Sequence, residues 1–176
     1  MVANAPKSAP REPRDAPLTP AALREIGLFG ALAEDVLEHL ARSIKTVRAT
    51  PGETIFHEGE SGREMFVVLD GEVEVTKRSR RGRDTRVALL GPADWFGEMS
   101  VLDMQARSAT VRAVAPSRLA RFTSEDMDAL YRFDLKSYAL IVLNIARDLS
   151  RRLRVTDGIL ADFAVNVLDE YVAMKR

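Results

Sequence analysis

The sequence predicts an α+β fold, an antiparallel β-barrel of the double-stranded β-helix or jelly-roll type with helices before it and a long helix after it. Two observations carry this expectation. Between Ile44 and Phe122 the apolar residues come in short, β-branched runs bounded by Pro51-Gly52, Glu58-Gly59-Glu60, Asp70-Gly71, Arg81-Gly82 and Gly91-Pro92, the turn spacing of small antiparallel sheets. On both sides of that region the apolar period changes to steps of three and four, which is helical.

In chain order, residues 1–17 carry Pro6, Pro10, Pro13 and Pro17 among Ala, Ser and charges and have little to bury, so they are expected to form an extended, disordered tail. Thr19 can cap a helix whose first position is Pro20, where the missing N–H costs nothing. Leu23, Ile26, Leu28 and Phe29 follow, then a break at Gly30 and a second helix with Leu32, Val36, Leu37 and Leu40 on one face. His39 of that helix is expected to be solvated or half-buried.

Within the β-rich region, Asp70-Gly71 between Phe66-Val-Val-Leu69 and Val73-Glu-Val75 predicts a tight hairpin, since both turn residues tolerate positive φ. The stretch Lys77–Arg86 is the most basic of the chain. It reads as a solvated hairpin tip that discourages edge pairing or as a docking patch for an acidic partner or polyanion; it has no interleaved aromatic for base stacking. After Phe122, Thr123 or Ser124 can cap a helix with Glu125 and Asp126 in its first turn, and Met127, Leu130, Tyr131 and Phe133 are expected to pack it on the barrel. From Leu135 a longer helix carries Leu149, Leu153, Thr156, Leu160, Phe163, Val167 and Tyr171 at alternating steps of three and four, a coiled-coil seam. Gly158 lies inside it, so the helix either tolerates a cost of about 1 kcal/mol or turns there.

A length of 176 residues fits one domain able to bury a core. Basic and acidic residues balance at 26 each, so no global field draws the protein to nucleic acid or membrane. The absence of cysteine excludes disulfides, thiol catalysis and thiolate metal sites. No signal peptide and no span of about 20 apolar residues is recognisable, and the expectation is a cytoplasmic protein. With His39 and His57 as its two histidines, the chain cannot build a three-histidine metal site, and it is not expected to be an enzyme.

The chemically specialised stretch is Phe96–Ala113. Gly97 permits a turn closed to other residues, and the amides after it open a short helix where negative charge is favoured. Arg107 is planar and permanently charged, suited to bidentate contact with a phosphate, whereas Glu98 can accept from sugar hydroxyls. An acid and a base so arranged suit a ligand with one hydroxyl face and one anionic face.

This stretch, Phe96-Gly-Glu98 followed by Arg107-Ser-Ala-Thr110, resembles the phosphate-binding cassette of the cyclic-nucleotide-binding domain, shared by cyclic-AMP receptor transcription factors, protein kinase A regulatory subunits and nucleotide-gated channels. Pro51-Gly52-Glu, His57-Glu-Gly-Glu and Phe66-Val-Val-Leu-Asp-Gly-Glu-Val look like the family's early strands. The resemblance implies that Glu98 binds the ribose 2′-hydroxyl and Arg107 the cyclic phosphate, that Phe96, Gly97, Met99, Ser100 and Ala109 belong to the binding segment, and that Ser108 gives a hydroxyl or amide to the phosphate. It also implies that Thr156 and Asp157 meet the base, with Ser150 or Arg152 replacing them if the helix is offset by one turn.

The ligand implied is cyclic AMP, with cyclic GMP as the alternative. The implied domain covers residues 18–156, with 157–176 as a C-terminal helical extension that forms a homodimer. A helix-turn-helix needs more than the about twenty residues left after it, so signalling to an unknown protein effector or to the dimer itself is expected, without a DNA-binding domain. The alternative is the same scaffold without ligand, acting as a dimerising adaptor.

Overall fold

The computed structural model describes residues 17–174, with side chains up to residue 166. The expected tail, apart from Pro17, and the seam side chains Val167 and Tyr171 lie outside the described residues.

Helix α1 spans Pro20–Arg24, with the Thr19 hydroxyl accepting from the Ala22 amide at 3.2 Å and Pro20 in the first turn. A 3-10 turn at Gly27–Phe29 leads to α2, Glu34–Ser43. The predicted apolar face of this segment is buried at Leu32, Val36, Leu37 and Leu40, and half-buried His39 stacks on Phe133 at 4.3 Å.

Eight strands follow: β1 Lys45–Ala49, β2 Thr54–Phe56, β3 Glu64–Asp70, β4 Val73–Arg78, β5 Asp84–Leu90, β6 Trp95–Phe96, β7 Thr110–Ala113 and β8 Ser117–Thr123, with the short helix α3, Glu98–Leu102, between β6 and β7. They form two four-stranded antiparallel sheets, ordered β1-β8-β3-β6 and β2-β7-β4-β5. The jelly-roll expectation is met as two facing sheets, with no ladder closing them into a continuous barrel among the described residues.

The tight hairpin expected at Asp70-Gly71 is not formed. β3 pairs with β6 and β8, and β4 with β5 and β7, so Asp70-Gly71 is a corner that carries the chain from one sheet to the other. Gly71 has the anticipated positive φ of 89°, but a Cβ there would lie 2.5 Å from the Pro116 carbonyl oxygen and the Ser117 hydroxyl. The corner is therefore wedged against the β7–β8 connection, a long-range contact invisible to a local turn rule.

The first sheet is buried on both faces. Met65, Val67, Trp95, Ala120 and Phe122 join the helical layer, while Phe66, Val68, Phe96 and Leu119 face the second sheet. This explains the unbroken apolar run Phe66–Leu69, because a strand covered on both sides does not alternate. In the second sheet Val73 and Val75 turn inward, whereas Glu74 is held by Arg112 on the outer face.

Helix α4, Ser124–Phe133, opens with a capping box in which Thr123 accepts from the Asp126 amide and Asp126 accepts from the Thr123 amide. Met127 and Leu130 are buried as expected, but Tyr131 and Phe133 are half exposed, Phe133 against His39 and Tyr131 edge-on to Tyr138 at 5.3 Å. Helix α5 runs unbroken from Leu135 to Met174. Ile141 and Ile145 are fully buried and the Asn144 amide donates to the Leu28 carbonyl at 3.1 Å, which fixes its first half to the body. Its second half passes through Gly158 without turning; Leu153, Leu160 and Phe163 are exposed. No helix among the described residues is long and apolar enough to cross a membrane.

Gly71→Ala is expected to lower the unfolding free energy by about 2–5 kcal/mol, the left-handed backbone cost plus overpacking, as measured by urea denaturation. Gly158→Ala, with open space around the new methyl, is expected to slow amide exchange in residues 154–162 about two- to five-fold, from the helix-propensity gain of about 0.5–1 kcal/mol.

Candidate functional site

The site begins at the end of β6. Gly97 takes φ 82° and ψ 2° as the N-cap of α3, so the chain reverses and Glu98 and Ser100 are drawn into the interior at 3% and 4% exposure. Arg107, returning from the loop after α3, is also only 4% exposed. Its backbone is tied on both sides: the Arg107 amide donates to the Glu60 carbonyl at 2.8 Å and the Gly59 amide donates to the Arg107 carbonyl at 2.9 Å.

The guanidinium of Arg107 lies in a tight cradle. Nη1 donates to the Glu64 carbonyl at 2.7 Å, the Ser100 hydroxyl at 2.8 Å and the Gly97 carbonyl at 3.1 Å. Phe56 lies under it, 4.0 Å from the guanidinium carbon to the ring centroid, a cation–π contact. Gly62 abuts it so closely that a Cβ there would be 2.2 Å from Nε. The Glu64 carboxylate is 3.9 Å from Nη2. The Nε atom is buried and has no hydrogen-bond partner, a costly state for a charged donor that marks a place for an acceptor. Burial pushes the Arg107 pKa below its ordinary value, against the raising effect of Glu64, Glu60 and Glu98.

Glu98 sits opposite in character. Burial raises its pKa above its ordinary value, with Arg152 the main counterweight. Arg152 reaches from α5 to Glu98 Oε1 at 3.4 Å, donates to the Trp95 carbonyl at 3.0 Å and pairs with Asp148 at 2.7 Å. One arginine thus connects the long helix to the turn that carries Glu98.

These groups open into a cavity of about 810 Å³. Of the residues singled out from sequence, Gly97, Glu98, Met99, Ser100, Arg107, Ser108, Ala109 and Thr156 line it. Phe96 and Asp157 do not. Phe96 lies in the intersheet core, stacked on Phe66 at 5.4 Å and near Phe56 at 5.8 Å, and of these rings it is Phe56 that reaches the cavity wall. Asp157 is exposed on α5, next to Thr156 but on another helix face. Ser150 does not line the cavity either, whereas Arg152, the one-turn alternative, does.

Sequence reasoning missed the apolar wall of Val75, Val87, Ala88 and Leu90 and the helical lining of Val155 and Ile159. It also missed Lys77, whose ammonium donates to the Ser108 carbonyl at 2.7 Å. The alternation Val73-Glu-Val75-Thr-Lys77 was the signal that Lys77 shares the inward face with the valines. No group of three or more His, Cys, Asp or Glu suited to a metal ion occurs among the described residues.

A cavity with an apolar wall, a buried carboxylate and a buried guanidinium with a free donor matches a ligand that is part aromatic, part hydroxylated and part anionic. Comparison with known proteins points to the same class. The chain is 31% identical over 140 residues to the CRP-like cAMP-activated global transcriptional regulator of Mycobacterium tuberculosis, covering 80% of this chain and 61% of that one. It is 38% identical to the cyclic AMP receptor protein of Thermus thermophilus over 74% of this chain and 58% of the relative. It therefore spans about three-fifths of the length of these relatives. The crystal structure of a cyclic nucleotide-binding domain from Methylobacillus flagellatus superposes with a TM-score of 0.73 at 25% identity, covering 82% of each chain. The sequence pattern of the cyclic nucleotide-binding domain matches residues 46–133, from β1 to the end of α4, and the chain belongs to the cyclic nucleotide-binding domain family.

Proposed function

We propose that the chain is a cyclic-nucleotide sensor whose ligand is cyclic AMP. The observation that carries this is the buried guanidinium of Arg107 lining a cavity that also presents the buried carboxylate of Glu98. Arg107 and the Ser108 hydroxyl take the cyclic phosphate, Glu98 accepts from the ribose 2′-hydroxyl, and the backbone of Gly97, Met99, Ser100 and Ala109 shapes the segment. The base lies between the Val75–Leu90 wall and α5, against Thr156. Phe96 and Asp157 have supporting rather than contacting places. Adenine is favoured over guanine because the Mycobacterium tuberculosis relative is described as cAMP-activated and the Thermus thermophilus relative is named for cyclic AMP.

Signalling follows from Arg152. A ribose hydroxyl arriving at Glu98 competes for the carboxylate that Arg152 holds, so ligand shifts the balance between tethered and released positions of α5 as far as its affinity differs between them. The exposed Leu153, Leu160 and Phe163 make the outer half of α5 the homodimer seam, through which the change passes to a protein effector.

Calorimetric titration should show cyclic AMP binding that Arg107→Ala weakens by about 3–5 kcal/mol, a hundred-fold or more; a folded variant with native affinity overturns the ligand assignment. The same titration with cyclic GMP is expected to give the weaker binding. No heat with either nucleotide supports instead a ligand-free dimerising scaffold.

Glu98 holds a proton more tightly folded than unfolded, so its protonation favours the fold. That contribution is full below the ordinary carboxylate pKa and is lost as pH rises from there through the raised folded value. Glu98→Gln should therefore gain thermal stability relative to the native chain across this rise, in melts of the ligand-free proteins; a pH-independent difference contradicts the burial argument. For the seam, Leu160→Asp combined with Phe163→Asp is expected to convert a dimer to a monomer in sedimentation equilibrium, and an unchanged mass rejects that surface.

A further inference from the structure

The β4–β5 hairpin has no part in the nucleotide reading beyond its root, and its outer end has an unusual construction. β7 pairs with β4 only as far as Thr76, opposite Thr110. Beyond that point β4 and β5 pair with each other alone, Lys77 with Thr85 and Arg78 with Asp84, so residues 77–86 extend past the sheet as a two-stranded ribbon, tethered at its root where Lys77 donates to the Ser108 carbonyl and the Arg78 amide to the Glu58 carboxylate. The turn is ordered by its own bonds: the Ser79 amide donates to the Arg83 carbonyl at 2.8 Å, the Gly82 amide to the Ser79 carbonyl at 2.9 Å and the Arg83 amide to the Ser79 hydroxyl at 3.0 Å.

This ribbon concentrates cations in a chain of zero formal net charge. It holds Lys77, Arg78, Arg80, Arg81, Arg83 and Arg86 against the single acid Asp84. Lys77 pairs with Glu58 and Arg86 lies 3.9 Å from Glu74. Arg78, Arg80, Arg81 and Arg83 are exposed and have no ion-pair partner among the described residues. The basic surface continues onto the outer face of the second sheet through Arg86 and Arg112, where Glu74 is sunk beneath them at 10% side-chain exposure.

We propose that this ribbon docks on double-stranded DNA through the phosphates. Guanidinium groups, which dominate the patch, bind phosphate oxygens in bidentate fashion. A two-stranded ribbon fits the B-form major groove, whereas the A-form groove of duplex RNA is too narrow for it. The tip has no aromatic side chain, which disfavours single strands, where base stacking supplies much of the affinity, and membrane surfaces, where an apolar or aromatic residue would anchor it. Recognition is of the backbone, without sequence preference.

The test is fluorescence anisotropy of a labelled 20-base-pair DNA duplex of arbitrary sequence, titrated with the full chain at several salt concentrations. Binding is expected in the range of about 1–100 µM near physiological salt, with a slope of log affinity on log salt of about −2.7 to −3.6 for three or four phosphates. Arg80→Ala, Arg81→Ala and Arg83→Ala together should lower affinity at least about ten-fold and flatten that slope by about 2–3, with the melting temperature unchanged. No anisotropy change at low salt, or undiminished binding by the triple variant, overturns the proposal. So does equal affinity for an RNA duplex or for polyglutamate competitor in place of DNA, or binding to phosphatidylserine vesicles without binding to the duplex.

Discussion

The burial of one guanidinium organises this molecule. Arg107 sits at the meeting point of four chain segments: the turn at Gly59–Glu60 that pins its backbone, Gly62 and Glu64 beside its side chain, the Gly97–Ser100 turn that accepts its hydrogen bonds, and Phe56 beneath its plane. A charged group so placed is tolerated only because acceptors surround it. Those acceptors are mostly backbone carbonyls, which cannot move independently of the strands and turns that carry them. The cradle therefore ties the second sheet's edge, the first sheet and α3 into one geometry, with the guanidinium at the wall of the cavity.

The double-sided burial of the first sheet puts the site and the helices on opposite faces of one packed layer. Its one face meets the second sheet through Phe66 and Phe96, the floor under Arg107 and Phe56, and its other face meets the helical layer through Met65, Val67 and Phe122. Close-packed layers transmit a displacement rather than absorbing it. Trp95 and Phe96, adjacent on β6, belong to the two different layers, and the Trp95 carbonyl accepts from Arg152 of α5. The turn bearing Glu98, the core beneath it and the long helix meet within a few residues of one another.

Electrostatics divides the labour between the two buried charges. Arg107 is held by neutral carbonyls on one side and by acids at a distance on the other, so its charge persists. Glu98 is held mainly by a partner from another element, Arg152, and its pairing can be exchanged. In the proposed function the fixed charge anchors the ligand at one end and the exchangeable one reports its presence at the other.

Much of this was legible in the sequence because it is governed by local rules. The Thr19 and Thr123 caps, the apolar face Leu32–Leu40, the β-rich region from residue 44 to 122 and the Gly97 turn with Glu98 and Arg107 are all written in spacing, capping chemistry and backbone freedom. What the sequence could not decide depended on partners far along the chain. Asp70-Gly71 has the chemistry of a tight hairpin, yet strand pairing with β8 and β7 sends its flanking strands to different sheets. Phe96 belongs to the cassette motif, yet alternation on β6 turns it into the core. Gly158 can end a helix, but the helix continues. Arg152 reads only as an alternative to Thr156 and Asp157 near the base until the packing of Ile141 and Ile145 sets the rotation of α5, which brings it to Glu98. The residue types of the site came from the sequence; which of them face one cavity was settled by long-range pairing and helix rotation, which no local pattern encodes.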